Sequence, residues 1–186
     1  RRSRVEEILP DFLLLVAGNI RAGMTSFSAF KSSARPEFGP LSEEIRSVTS
    51  RSLGIDSFAS ALSRVTDSIR SKNLNETIRF FLQAARSGGK MASLLENTSA
   101  ELRQNQELKK ELQVLGHQFK TDSDTEVLLH SYMEWGASCL NRFNGMWAFA
   151  IWDRVEKKLF LARDRLGQKP LFYFLRDNQM VFASEM

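Results

Sequence analysis

Between Gln104 and Glu107 the chain changes character, and this change limits its possible folds more than any other feature. All three tryptophans (Trp135, Trp147, Trp152), both tyrosines (Tyr132, Tyr173) and both histidines (His117, His130) lie beyond it. Residues before it read as helices rich in Ser, Leu and Arg. Those after it read as one long helix followed by short aromatic strands. No single periodicity organises all 186 residues, so two unlike segments are joined.

Charge follows the same division. The net charge of +4 sits in residues 1–106, which carry 15 Lys and Arg against 11 Asp and Glu, whereas residues 107–186 carry 11 of each. Arg1, Arg2 and Arg4 open the chain, and such a cluster marks a membrane-facing end, a nucleic-acid contact or a solvated terminus. A nucleic-acid binder would interleave aromatics with its basic residues, and the basic segment does not. One cysteine, Cys139, excludes an internal disulfide framework, and with two histidines it makes a structural zinc site unexpected. No apolar run approaches the roughly 18 residues a membrane span needs. The chain begins with Arg and ends at Ser184-Glu185-Met186, which reads as a piece of something longer.

In the first segment Val5, Ile8, Leu9, Phe12, Leu13, Val16 and Ile20 recur at helical spacing, and Gly23 ends that helix. Thr25 caps a second helix through Ala34, and Arg35-Pro36-Glu37-Phe38-Gly39-Pro40 breaks the chain. A third helix runs from about Leu41 to Leu53. Asp56 caps a fourth, over Phe58, Ala61, Leu62 and Val65. Asn73 or Asn75 opens a fifth, through Ile78, Phe81, Leu82 and Ala85, which Gly88-Gly89 closes. A sixth begins near Lys90, giving an all-α six-helix bundle in two sets of three. Arg21-Ala22-Gly23 and Arg86-Ser87-Gly88 hold similar places in the two sets, as an internal repeat would. Ser87-Gly88-Gly89-Lys90 lacks the strand and the full spacing of a phosphate loop and reads as a turn between helices.

Four spaced stretches of this segment carry a resemblance: Leu9-Pro10-Asp11-Phe12-Leu13, Asn19-Ile20-Arg21-Ala22-Gly23-Met24-Thr25, Ala34-Arg35-Pro36-Glu37-Phe38-Gly39-Pro40-Leu41 and Arg86-Ser87-Gly88-Gly89. In this order, over residues 1–105, they resemble the cytoplasmic domain of the type II secretion system F family, with the flavour of the archaeal platform proteins for pilus and flagellum assembly. The resemblance implies a non-enzymatic helical domain at the cytoplasmic face of the membrane. There it would couple a secretion ATPase to filament assembly.

In the second segment Leu108, Leu112 and Leu115 are expected to face inward on a helix that Gly116 ends, and Ser123 or Asp124 caps a helix carrying Val127, Leu128, Tyr132 and Trp135. Asn141 to Gly145 reads as a turn or short helix. Met146 to Trp152 is apolar on both faces, so the pattern predicts a buried strand. Asp153 to Lys158 is a hairpin turn. Leu159 to Arg163, Pro170 to Arg176 and Met180 to Ser184 follow as strands, the last two joined at Asp177-Asn178, giving an incomplete α+β unit with an antiparallel sheet. Arg163, Asp164, Arg165 and Lys169 read as an ion-paired loop around Gly167 and Pro170, the alternative being an anion site. His117 and His130 read as surface or packing residues.

Gly116-His117, Ser123-Asp124-Thr125-Glu126-Val127, Tyr132, Trp135-Gly136, Asn144-Gly145-Met146, Phe149-Ala150-Ile151-Trp152-Asp153, Ala162-Arg163-Asp164-Arg165-Leu166-Gly167, Lys169-Pro170-Leu171 and Phe182-Ala183-Ser184-Glu185 resemble the class II glutamine amidotransferase domain, of N-terminal-nucleophile type, in glutamine-hydrolysing asparagine synthetase. The resemblance covers residues 106–186. It implies a terminal cysteine that attacks the glutamine amide with its own α-amine as base, and ammonia passed to an ATP- and Mg-using synthetase domain. Of the family's site residues only Asp124 carries over, as a holder of the glutamine amino group; the alternative is a helix cap.

No catalytic residue or metal ligand is expected. The nucleophile's position holds Arg1, and Cys139 lies inside the chain without a free amine. No cofactor is expected in these residues, since ATP and Mg would belong to the synthetase part. The expectation is therefore a non-catalytic hybrid chain, inactive alone, arising from a gene fusion, a decayed gene or an assembly error. The other reading is an enzyme portion that needs a complementing partner. The stripe Met91, Leu95, Thr98, Leu102, Asn105, Leu108, Leu112, Leu115 predicts one unbroken helix across the join, and residues 116–186 are expected to fold poorly or to associate.

Overall fold

The computed structural model describes residues 2–51, 55–69, 71–87, 90–121, 123–177 and 179–185, with the side chains of residues 2, 3, 51, 55–57, 86 and 87 outside that description. Position 1, the end of the third helix at Leu53, the Gly88-Gly89 turn and Asn178 lie outside the described residues, as does the side chain of Asp56. The chain is mostly helical, with two small antiparallel sheets near its C-terminal end, and it divides into two compact units, 1–122 and 123–186.

The first unit is built from α1 (Arg2–Arg21), α2 (Ser26–Ser33), a 3-10 turn (Pro36–Phe38), α3 (Gly39–Arg51), α4 (Ile55–Ser68), α5 (Lys72–Ser87) and α6 (Met91–Val114). Local chemistry sets most boundaries. Gly23 takes φ +89°, which lets the Met24 N–H reach the Asn19 carbonyl at 3.1 Å and close α1 in a left-handed cap. The Thr25 hydroxyl accepts the Ser28 N–H at 3.2 Å, so it caps α2 as its sequence position predicts. At α5 the expected Asn73 or Asn75 gives way to Ser71, whose Oγ accepts the Leu74 N–H at 3.0 Å. Two asparagines invite the wrong choice, because only the residue immediately before the first turn has its side chain aimed at the free N–H groups.

One continuous core takes Val5, Leu9, Phe12, Leu13 and Val16 from α1, Ala29 and Phe30 from α2, Leu41 and Ile45 from α3, Phe58, Leu62 and Val65 from α4, Leu74, Ile78 and Phe81 from α5, and Leu95 from α6. Phe30 stands at its centre, edge-on to Phe12 at 5.8 Å, Phe58 at 5.7 Å and Phe81 at 5.0 Å. Those geometries suit the ring quadrupoles.

Helix α6 is continuous through the change of composition. Its 24 residues span about 36 Å at 1.5 Å per residue. Gly116, at φ +98°, ends it, with the His117 N–H on the Leu112 carbonyl at 3.0 Å. Leu108 and Leu112 are buried as their spacing predicts, but Leu115, at the cap, is half exposed.

The second unit contains α7 (Asp124–Trp135), a 3-10 helix (Gly136–Arg142), and strands β1 (Ala148–Asp153), β2 (Lys158–Arg163), β3 (Phe172–Arg176) and β4 (Gln179–Ala183). β1 pairs with β2 and β3 with β4, both antiparallel, as two separate two-stranded sheets rather than one. The expectation of a buried first strand is corrected: Ile151 alone in β1 is buried, while Ala150 and Trp152 face solvent. Alternation of apolar residues reports what a strand would bury if two layers covered it, and it carries no information on whether those layers are there. Every residue of β3, and every residue of β4, is exposed.

Candidate functional site

The start of α7 carries the one substrate-contact candidate. Ser123 is the N-cap, its Oγ accepting the Thr125 N–H at 3.3 Å. That assigns the capping role left open between Ser123 and Asp124. Asp124 is the first helical residue, exposed, and together with Glu126 it places negative charge at the positive end of the helix dipole. Its carboxylate is therefore electrostatically favoured there whether or not a ligand comes. Glu126 Oε1 lies 3.9 Å from Nε2 of His130, one turn further along the helix. Among the described residues no three His, Cys, Asp or Glu side chains gather as metal ligands.

Tyr132 ties α7 to the first hairpin. Its ring stacks on Phe160 of β2 at 5.1 Å, and its hydroxyl donates to Asp153 Oδ2 at 3.2 Å. Asp153 Oδ1 accepts the N–H groups of Val155 and Glu156 at 2.9 and 3.0 Å, closing the hairpin turn. The Glu156 N–H does most to hold the Asp153 carboxyl below its usual range, while desolvation pushes the Tyr132 hydroxyl up. None of this was visible from the spacing of Tyr132 and Asp153, because a contact over 21 residues has no local signature.

The Arg163 to Lys169 loop is built differently from the ion-paired loop its charges predict. The Asp164 carboxylate is buried and accepts three backbone N–H groups, from Leu166 at 3.2 Å, Gln168 at 2.9 Å and Lys169 at 3.0 Å. Those bonds, led by Gln168, lower its proton affinity against the opposing effect of burial. Arg163 turns its guanidinium on the loop's own carbonyls, with Nε donating to Lys169 O at 2.6 Å and Nη2 to Gly167 O. Gly167 takes φ +62°, a backbone that L side chains rarely adopt, and a Cβ there would lie 3.1 Å from the Arg163 guanidinium, which would have to give way. Acid and base thus each bind backbone instead of each other. Charges can be read from a sequence, whereas the N–H groups that a turn aims at a carboxylate cannot.

Cys139 sits in the 3-10 helix, completely buried, and desolvation raises its thiol above the ordinary value. A buried thiol held protonated is a packing group and a poor nucleophile. Val127, Ser131, Ile151 and Ala162 are the other buried small and apolar residues described in this unit.

With this geometry in place, comparison with known proteins separates the two ends of the chain. Residues 98–186 match the family described as the glutamine amidotransferase domain, and residues 12–115 match type II secretion system (T2SS), protein F. The chain is 51% identical over 88 residues to asparagine synthetase [glutamine-hydrolyzing] 3 of Bacillus subtilis (strain 168), covering 47% of this chain and 14% of that protein. It is 43% identical over 94 residues to asparagine synthetase [glutamine-hydrolyzing] 2 of the same organism, covering 50% and 12%. It is 46% identical over 67 residues to a putative asparagine synthetase [glutamine-hydrolyzing] 2 of Methanocaldococcus jannaschii, covering 36% and 13%. The chain therefore spans about one seventh or less of the length of these relatives. No solved structure matches it. More than half of its length lies within the match over residues 12–115, and the chain belongs to the type II secretion system protein F family, with a glutamine amidotransferase match at its other end.

Proposed function

We propose that the chain is a non-catalytic hybrid, in which a secretion or pilus assembly platform domain is joined to an asparagine-synthetase-type glutaminase region that does not hydrolyse glutamine. The observation that carries this reading is Cys139. It is the one cysteine of the sequence, it is buried with its proton affinity raised, and at an internal position it has no α-amine to act as its base. The helical unit would serve at the cytoplasmic face of the membrane by docking a secretion ATPase, a role supported by the protein F family match over residues 12–115. No helix of the described residues is long and apolar enough to cross a membrane. ATP and Mg chemistry is assigned to none of these residues.

The second reading is a portion of a glutamine-hydrolysing asparagine synthetase that works with a partner supplying the nucleophile. Asp124 favours it, being exposed at a helix start where it can accept an ammonium group. Ammonia release from glutamine separates the two when the purified chain is mixed with the N-terminal, cysteine-bearing part of a glutamine-hydrolysing asparagine synthetase. No release above that of the added part alone is expected; release that needs both pieces and survives Cys139→Ser would move the reading to the synthetase, and release by the chain alone that Cys139→Ser abolishes would make Cys139 the nucleophile after all.

A further inference from the structure

The two family matches overlap over residues 98–115, which take in most of α6. That stretch of helix makes a specific repair in α1. Pro10 lies inside α1, where its ring nitrogen has no N–H to give and its ring crowds the carbonyl four residues back, that of Glu6. The orphaned Glu6 carbonyl accepts instead from Gln106, whose Nε2 lies 2.7 Å away. The neighbouring stitches run antiparallel along the same two helices. Ser99 Oγ donates to the Pro10 carbonyl at 2.7 Å in a buried site, Arg103 pairs with Asp11, and Arg21 Nε pairs with Glu96 Oε1 at 2.5 Å.

Glu6 is a junction in its own right. Its carboxylate accepts from Ser71 Oγ at 2.6 Å and from Asn73 Nδ2 at 2.7 Å, fastening the start of α5 to the same turn of α1. Beyond Gln106 the chain stays with the helical unit. Leu108 and Leu112 are buried, and Lys109 places its ammonium 5.1 Å from the Phe119 ring centre while donating to the Thr121 carbonyl at 3.1 Å.

We infer that residues 98–121 are captured by the helical unit although they also match the amidotransferase family, with Gln106 acting as the donor that replaces the N–H missing at Pro10. The physical boundary of the chain then lies near residue 122, not where its composition changes. The join is a clamp on α1 rather than a tether. This inference stands whether or not the chain turns over glutamine.

The test is urea unfolding of the full chain and its variants, read by two signals. Helix ellipticity at 222 nm is dominated by the helices of the first unit, and tryptophan fluorescence reports the second alone, since all three tryptophans lie beyond residue 122. Gln106→Leu is expected to lower the unfolding equilibrium's preference for the folded helical unit by about tenfold, which is about 1.4 kcal/mol. Pro10→Ala returns an N–H to the Glu6 carbonyl, so in that background Gln106→Leu should cost threefold or less. The fluorescence transition should hold its midpoint throughout. An equal cost of Gln106→Leu in both backgrounds, or a shift in the fluorescence transition instead of the ellipticity, overturns the inference. Should Gln106→Leu alone fail to fold, recovery of folding in the double variant supports the inference and its absence overturns it.

Discussion

The two units of this chain handle apolar residues in opposite ways. In the helical unit the side chains of Phe12, Phe30, Phe81 and Leu112 are at most 2% exposed. In the strand unit Tyr173, Phe174 and Leu175 stand 60–70% exposed on a hairpin whose partner strand is also exposed throughout. The strand unit is the more apolar sequence, with 33 apolar residues among its 64 against 46 among the 122 of the helical unit, so composition does not explain the difference. A helix hides its own backbone bonds and needs one apolar stripe covered, which five neighbours can do. A strand exposes two faces and an edge, and a pair of strands leaves most of that surface in water.

That contrast can be broken at its strongest point. Phe30 joins α1, α2, α4 and α5 through three ring contacts, and Phe30→Ala should destabilise the helical unit by about 3–5 kcal/mol. The measurement is the ellipticity transition in urea, with tryptophan fluorescence unchanged if the units fold separately.

In the strand unit the corresponding weak point is conformational. Gly167→Ala must hold a left-handed backbone beside the Arg163 guanidinium, at a cost of about 1–2 kcal/mol. The loss should appear in the fluorescence transition, because the Asp164 N–H that starts this loop donates to the Trp147 carbonyl at 2.8 Å.

A smaller effect sharpens the comparison from the helical side. Thr25→Ala removes the α2 cap and should cost about 1 kcal/mol, seen by ellipticity alone.

In the strand unit the effect of pH lies on the acid side and comes from two carboxyl groups. Asp153 and Asp164 both have folded-state proton affinities below their ordinary values. Above about pH 4, near the unfolded value for Asp, both are ionised in either state and their full stabilisation is present. As pH falls further, the unfolded chain takes up protons first and stability drains away. The fluorescence transition should therefore weaken below about pH 4, and Asp164→Asn should flatten that dependence.

Much of the helical unit was legible because its signals are local. Gly23, Thr25 and Gly116 each act within a turn of where they stand, and each does what its residue type predicts. Phe30, Ser99 and Gln106 gave no such signal. They act on residues from 18 to 100 positions away, and nothing in a helical period says which stripe meets which. The hairpin turns were legible for the same local reason, whereas the cover of β1 was not. At the candidate site, capping chemistry reached as far as Ser123 or Asp124, and the structure chose Ser123; the substrate role of Asp124 came from resemblance alone. Asp164 was misread because its charge is printed in the sequence while its three N–H partners exist only once the loop has closed.

Amide hydrogen exchange of the full chain tests the central contrast most directly, since protection follows local opening free energy. The account predicts slow exchange throughout α1, α5 and the whole of α6, including residues 98–114, and rapid exchange over residues 172–183. Protection of that hairpin equal to that of α6, or rapid exchange beginning at residue 106 within α6, would contradict it.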